Sequence, residues 1–367
     1  MPFSSPDIVV VGAGIAGLSV ARALRQRGHR PVVLERSRGV GGRCATRRVD
    51  DVAVDHGVPF LHGRTEAFLA ELRRVAGVTR VDSWPTDVDG TGTPCRPDAF
   101  SAREERVVFA EGVNRFAKHL AQDLDVHLGE PVTAVALTAD PEGLGPVWHL
   151  QRGSSQPLAT RGLVLTMPAP AMRELLEPVA ATCAPVAGLL PVLALVQMVP
   201  CLTVIARYDA AAGSPSWQMA YPRESMTIHS VSHDSTKRRD AEGSTLVIQA
   251  RAAWSRAHVQ EPPDVWAAAL LTEAGRLYGT TLARPASFQA HAWRKARVAP
   301  GCELTQPLLV AVGGDAWLAC AGDGFHAAGG VEGAYLSGVE LAARIDEQCR
   351  VVRQDSRTGD ARAVSPH

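Results

Sequence analysis

Asp7-Ile8-Val9-Val10-Val11-Gly12-Ala13-Gly14-Ile15-Ala16-Gly17 is the stretch that decides the fold. Its continuous apolar run up to Val11 is what a strand buried on both faces of a parallel sheet requires. Gly12, Gly14 and Gly17 then match the spacing G-x-G-x-x-G. Gly12 permits a tight turn, Gly14 lets a pyrophosphate approach the backbone, and Gly17 lets helix and strand pack closely. Apolar residues at helical spacing over 15–27 predict a helix, closed by Gly28 as a C-cap glycine. The unpaired N–H groups of its first turn, at Ile15 and Ala16, suit a phosphate. A second strand, 31–34, leads to Glu35, about twenty residues beyond the turn, where a carboxylate hydrogen-bonds a ribose hydroxyl and repels a 2′-phosphate. The reading is an α/β dinucleotide-binding domain.

The rest of the composition is neutral. The 367 residues suffice for roughly two domains. With 38 basic and 38 acidic side chains, nothing pulls the chain toward nucleic acid or an acidic membrane surface. Only Lys118, Lys237 and Lys295 are lysines. The seven cysteines show no C-x-x-C pair and read as buried free thiols in a reducing compartment. No Lys or Arg precedes the apolar run at 8–20, so it is no signal-peptide core. The run at 189–199 is too short to span a bilayer and contains Pro191. A cytoplasmic protein is expected.

Helices are predicted over 66–76, 113–124 and 264–278, and from 332 to about 349. Strands are predicted over 132–138, 147–152, 162–166 and 317–321. Residues 82–101, rich in Pro, Gly, Thr and Asp, read as loop. Short β-rich runs fill 189–253, and the polar tail from Val351 reads as disordered.

Beyond Glu35, the run Arg36-Ser37-Arg38-Gly39-Val40-Gly41-Gly42-Arg43 resembles the glycine-glycine-arginine element of amine-oxidase-like FAD proteins. That resemblance implies that Arg36, Gly42 and Arg43 lie along the second phosphate and the ribityl chain. Downstream, a strand ending in Ala321-Gly322-Asp323 precedes Val331-Glu332-Gly333-Ala334 at the start of a helix, which resembles the C-terminal flavin motif. Asp323 would then bind ribityl or pyrophosphate. Glu332, Gly333 and Ala334 would open a helix whose positive end faces the flavin pyrimidine and stabilises the anionic reduced form. Asp55 and Val132 complete the expected cofactor set. No cysteine or histidine stands in a flavin-attachment sequence, so the FAD is expected to be non-covalent.

Further segments resemble the renalase family: Cys44–Arg48 followed by Val54-Asp55-His56-Gly57-Val58-Pro59-Phe60, then Ala253-Trp254-Ser255-Arg256, Ala290-His291-Ala292-Trp293 and Gly322-Asp323-Gly324-Phe325. The resemblance runs from about residue 6 to 346. It implies a hydroxybenzoate-hydroxylase-like flavoprotein of the two-dinucleotide-binding-domain type: a Rossmann-type FAD-binding domain (1–57, 111–170 and 303–350) and a mixed α+β substrate domain (58–110 and 171–302), with 351–367 as tail. It also implies oxidation of dihydronicotinamide isomers carrying the hydride at C2 or C6, with oxygen as acceptor and hydrogen peroxide as product. The chain departs from the family where Pro59-Phe60-Leu61 replaces Gln-Tyr-Phe. Losing an amide and a phenol removes two groups able to orient a nicotinamide.

Hydride loss from a carbon beside nitrogen needs orientation and exclusion of water more than acids or bases. Pocket candidates are Phe60, His62, Trp254, His291, Trp293 and His326, with Trp217 and Tyr221 behind them; tryptophans are as readily core as pocket. Two alternatives stand beside the renalase-like reading. One is a flavin amine oxidase or desaturase, for which Lys295 is the candidate for the lysine that many amine oxidases use to hold a water. The other is a non-enzymatic FAD-binding redox sensor.

Overall fold

The run Ile8–Val11 forms a strand with every residue buried, between parallel neighbours Gly162–Leu165 and Pro31–Glu35. It belongs to a computed structural model that describes residues 7–95, 97–140, 145–153, 155–210, 213–238, 241 and 243–362, the last eleven by backbone alone. The sheet has six strands in the order Leu308–Gly313, Ala316–Cys320, Gly162–Leu165, Ile8–Val11, Pro31–Glu35, Asp125–Leu128. All neighbours are parallel except the edge hairpin that adds Leu308–Gly313. The chain leaves the first strand to one side at Pro31 and occupies the other side at Gly162. A crevice therefore opens at the C-terminal end of Ile8–Val11, where doubly wound sheets bind ligands.

The helix Ile15–Gln26 starts from Gly14 as N-cap and buries Ile15, Ala16, Leu18, Val20, Ala21 and Leu24. Gly28, at φ +90°, follows its end, and its N–H donates to the Arg25 carbonyl (3.0 Å). A separate antiparallel sheet comprises Val132–Ala139, Pro146–Arg152 and Ser155–Thr160.

The chain divides into two units, residues 1–42, 120–197 and 299–367 in one, 43–119 and 198–298 in the other. Relative to the expected boundaries, 43–57 and 111–119 join the second unit, while 171–197 and 299–302 join the first. The reason is pairing. Thr46–Val49 pairs with Val52–Asp55, which is tied through Asp55 to Lys237 and Arg238. The helices Ala169–Ala180 and Ala184–Leu195 lie instead against Val132–Ala139 and Leu308–Gly313, respectively.

The second unit is built on the sheet Ser287–Val298, Met198–Tyr208, Ser244–Ala250, Ile228–His233, Met219–Ala220, Val88–Asp89. The helix Pro263–Tyr278 buries Trp266, Leu270 and Leu271 in the apolar cluster formed with this sheet. The register between Met198–Tyr208 and Ser287–Val298 slips between Val199 and Cys201, opposite residues 294–296. Pro200 stands at that slip and offers no N–H to the ladder, a usual place for a bulge.

Two expectations are corrected. Residues 189–195, read as β-rich, close the helix Ala184–Leu195, because a short apolar run carries no period that separates helix from strand. The C-terminal helix spans Gly330–Arg362, so the expected disordered tail is helical through Arg362, and residues 363–367 lie outside the described residues. Among the described residues, no helix is long and apolar enough to cross a membrane.

Candidate functional site

In the first unit the site is made largely of backbone. Gly12 sits at φ +107°, a conformation that side chains strain to adopt, and its N–H donates to the Leu34 carbonyl (2.8 Å). A β-carbon on Gly17 would collide with the Gly12 carbonyl oxygen, so helix and turn meet there only without a side chain. At Gly14 the opposite holds: a β-carbon would meet nothing within 4 Å. Open space beside the first turn of Ile15–Gln26, which has neither a side-chain cap nor an acidic residue, fits a pyrophosphate. Gly41 N–H donates to the Ala13 carbonyl (2.8 Å), and Gly42 brings its α-carbon side to Gly14, so the glycine-glycine element folds back along the turn.

Glu35 is buried, and its carboxylate accepts one hydrogen bond per oxygen, from Ala13 N–H and Ser37 N–H, both at 2.8 Å. It therefore braces the glycine turn, and each oxygen retains a lone pair for a ribose hydroxyl. Gly129 and Glu130 donate to the carbonyls of Ser37 and Glu35, which brings the start of Val132–Ala139 alongside. Arg36 is exposed.

Asp323 lies in the turn between Ala316–Cys320 and Gly330–Arg362. Ser337, fully buried about two turns into that helix and missed by sequence reading, accepts from Gly322 N–H (3.1 Å) and donates to its carbonyl (2.9 Å). His326 shapes the same turn: Nδ1 accepts from Ala328 N–H (3.1 Å) and its carbonyl accepts from Gly329 N–H (2.9 Å). Glu332, Gly333 and Ala334 are buried in the helix's opening turns.

In the second unit the expected residues separate. The Asp55 carboxylate takes Thr46 Oγ1–H (2.6 Å) and Val113 N–H (2.9 Å) on one oxygen, Lys237 (3.2 Å) and Arg238 (2.9 Å) on the other. Four donors saturate its carboxylate inside this unit. Burial opposes its charge, but Lys237 and Arg238, helped by Thr46 and Val113, outweigh burial and hold its pKa below the ordinary carboxylate range. Asp234 pairs with the same two cations at 2.8 Å each, completing a buried quartet of balanced charge.

Phe60 is core, edge-on to Trp84 and Phe100 in a buried cluster with Tyr221. Trp217 is core as well. Trp254 packs at the margin of that core, its ring 4.3 Å from His258. His62 is paired with Glu104 (3.0 Å). Arg43, in this unit, donates to the Ala296 carbonyl (3.3 Å).

His291 and Trp293 do come together. Two apart on one strand, they share a face, with ring centroids 4.2 Å apart. His56, missed because it fills the variable position between Asp55 and Gly57, completes the group at 5.2 Å from His291 and 5.3 Å from Trp293. Trp293 Nε1–H donates to the His56 carbonyl (3.2 Å). Among the described residues, His56 Nδ1 is buried without a hydrogen-bond partner. Burial, then Arg47 and His291, push the His56 pKa down to about 4. Burial and Arg47 lower that of His291 too. Arg47 donates to Gln289 (2.9 Å) and approaches His291 Nδ1 (3.5 Å). Lys295 lies at the register slip of the same strand.

A glycine turn at a switch point, a carboxylate at the second strand's end and a C-terminal helix returning to the same sheet define a dinucleotide-dependent flavoprotein fold. Residues 10–72 match the NAD(P)-binding Rossmann-like domain, and residues 93–346 match the flavin containing amine oxidoreductase family. The chain belongs to that family, whose members are FAD-dependent oxidoreductases. Among solved structures, a redesigned putrescine oxidase superposes with a TM-score of 0.68 over 93% of this chain and 98% of its own, at 15% identity. Cyclohexylamine oxidase from Brevibacterium oxydans gives 0.67 over 94% and 100%, at 16% identity. A putative flavin-containing monoamine oxidase of Mycobacterium tuberculosis is 43% identical over 84 residues, 23% of this chain and 18% of that protein. The matched stretch thus spans less than a fifth of that relative's length.

Proposed function

We propose that the protein is an FAD-dependent oxidase that takes a hydride from a carbon bonded to nitrogen in a small amine. The observation that carries this reading is the neutral ring cluster His56, His291 and Trp293 beside Arg47. A desolvated surface next to a guanidinium disfavours an ammonium ion. An amine bound there is held neutral, and its lone pair is then available to drive hydride loss. The ring faces orient the substrate and keep water away. When bound, FAD supplies the hydride acceptor and passes the electrons to oxygen, giving hydrogen peroxide. Gly12, Gly14, Ile15, Ala16 and Gly17 would hold its pyrophosphate, and Glu35 its ribose. Arg36, Gly42, Arg43, Val132, Asp323, Glu332, Gly333 and Ala334 are the candidates along the rest of the cofactor.

A second reading is oxidation of C2- or C6-reduced dihydronicotinamide isomers. What favours it is that two separate renalase-like stretches, 54–60 and 290–293, meet in the cluster of His56, His291 and Trp293. Anaerobic mixing of the holoprotein with primary, secondary and tertiary amines, with the isomers and with ordinary NADH separates the readings. Fast bleaching of flavin absorbance by an amine, with slow reduction by all nicotinamides, supports the first. Fast bleaching by the isomers replaces it with the second. Reduction by neither panel overturns both readings and places the oxidoreductase's substrate outside these two classes.

A further inference from the structure

The main sheet of the second unit has two unlike faces. Opposed residues of paired strands share a face, so Leu202, Val204, Leu246, Ile248, Ala290 and Ala292 fall on one side, in the apolar cluster around Trp266. The same registers place Thr203, Gln249, Gln289, His291 and Trp293 on the other. The hairpin 46–55 covers part of that polar face, where Val49 and Val54 pack with Ile205 and Val247. Arg47, two residues before Val49 and opposite Val54, reaches the same face from the hairpin. There it donates to Gln289 (2.9 Å) and ends 3.5 Å from His291 Nδ1.

Both of these partners are uncharged. Among the described residues, no acidic side chain pairs with the half-buried Arg47 guanidinium. Asp55, on the hairpin's second strand, is held by Lys237 and Arg238 within a quartet whose charges already balance. His56 and His291 are neutral at pH 7, so nothing in the ring cluster offsets the charge of Arg47. The buried His56 Nδ1, unpartnered among the described residues, is a second polar group left open to a ligand.

We infer that Arg47 is the seat of a carboxylate, and that the substrate is an α-amino acid, primary or N-alkylated, whose amine rests on the rings of His56, His291 and Trp293. This inference rests on the amine reading of the same site and narrows it. A guanidinium offers a carboxylate two parallel N–H donors. With Arg47 ending 3.5 Å from His291 Nδ1, its charge lies only a few bonds from an amine on the rings, which is the spacing of an amino acid. A diamine would bring a second ammonium against the guanidinium. Pairing with a carboxylate removes the repulsion that Arg47 exerts on an ammonium. Burial, the larger cause of both lowered histidine pKa values, remains and still favours the neutral amine.

Atoms and electrons balance as follows. On binding, the ammonium releases a proton. The C–H bond of the carbon joined to nitrogen and carboxylate then breaks, its hydride passes to FAD, and the nitrogen lone pair closes a C=N bond. Water replaces nitrogen, giving a 2-oxo acid and an ammonium or alkylammonium ion. Oxygen takes up the hydride and the proton released on binding, and leaves as hydrogen peroxide.

Calorimetric titration of the holoprotein with benzoate and with benzamide reads the carboxylate seat without turnover. Benzoate is expected to bind about tenfold or more tightly than the amide. Arg47→Met is expected to abolish that preference with FAD affinity unchanged, and Arg47→Lys to recover part of it. Anaerobic flavin reduction then compares phenylalanine with phenethylamine and proline with pyrrolidine. The carboxylated member of each pair is expected to show the lower apparent Kd, which Arg47→Met raises about 10–100-fold with little change in limiting rate. Equal binding of benzoate and benzamide, or a preference that survives in Arg47→Met, overturns the carboxylate seat, and fast reduction by the plain amines then leaves the amine reading standing. Arg47-dependent benzoate binding without reduction by either member of a pair overturns the amine reading and the amino-acid class with it. Should Arg47→Met fold poorly, the comparison of benzoate with benzamide in the unaltered protein decides.

Discussion

The glycine turn and the ring cluster are built in opposite ways. Around Gly12, Gly14 and Gly17 the work is done by backbone, within a few residues of one another, and one carboxylate from Glu35 closes the arrangement. Around His56 it is done by side chains from the 46–57 hairpin region and the strand Ser287–Val298, standing on a buried ion quartet. A backbone site depends on small residues at set spacing. A side-chain site depends on every distant segment that supports it, so single substitutions should damage the two regions by different routes.

The largest effect is expected at the quartet. Asp55→Ala leaves Lys237 and Arg238 with Asp234 alone, and removing one member of a buried pair costs about 3–5 kcal/mol. Denaturant unfolding measures it. A loss below about 1 kcal/mol would mean that water reaches these charges and that the second region is not supported as described.

Next comes pH. Folded His56 stays neutral down to about 4, while the unfolded imidazole takes a proton from about 6.5 downward. Its folded pKa is depressed, so its contribution is fully present above about 6.5 and is lost as pH falls toward 4, roughly 3 kcal/mol across the window. His56→Gln should flatten that part of the stability–pH curve. An unchanged slope would place the pH dependence on other groups.

In the backbone region, Glu35→Ala should weaken FAD binding by about 2 kcal/mol, from the lost turn brace and ribose contact together. Glu35→Gln should recover part of this, because one amide oxygen still accepts from a backbone N–H. Fluorescence titration of the apoprotein reads both, and equal affinity for all three proteins would remove Glu35 from the site.

The smallest effects are expected at His62 and His326. Each is occupied locally, by Glu104 and by Ala328 N–H. Replacing either with Gln should leave anaerobic flavin reduction within about tenfold of the parent, far from the roughly 10²–10⁴-fold worth of a general acid or base. A thousandfold drop in either, with FAD still bound, would move the chemistry onto that histidine.

The contrast also explains what could be read from residues alone. The turn was legible because its determinants are local: spacing decides which glycine bends, which stays open and which lets the helix approach. His291 and Trp293 were legible as a pair because alternate residues of a strand share a face. His56 was not, since nothing in its neighbours shows that its ring reaches a strand more than two hundred residues away. The surroundings of Phe60 and Asp55 were hidden for the same reason. An aromatic ring reads as a pocket group and a carboxylate as a cofactor contact, and only the fold shows that Trp84 and Phe100 pack on the one and that Lys237 and Arg238 pair with the other.

By itself the sequence determined the parallel sheet, the glycine turn, Glu35 at the end of the second strand and the helix returning after Asp323, since short-range sterics and hydrogen bonding dictate each. Tertiary structure alone decided that Asp55 is saturated, that Phe60 is core, that Ser337 staples the Gly322 turn and that Arg47 meets Gln289. Those outcomes depend on burial and on partners distant in the chain, and no local pattern encodes which buried polar groups will find one another.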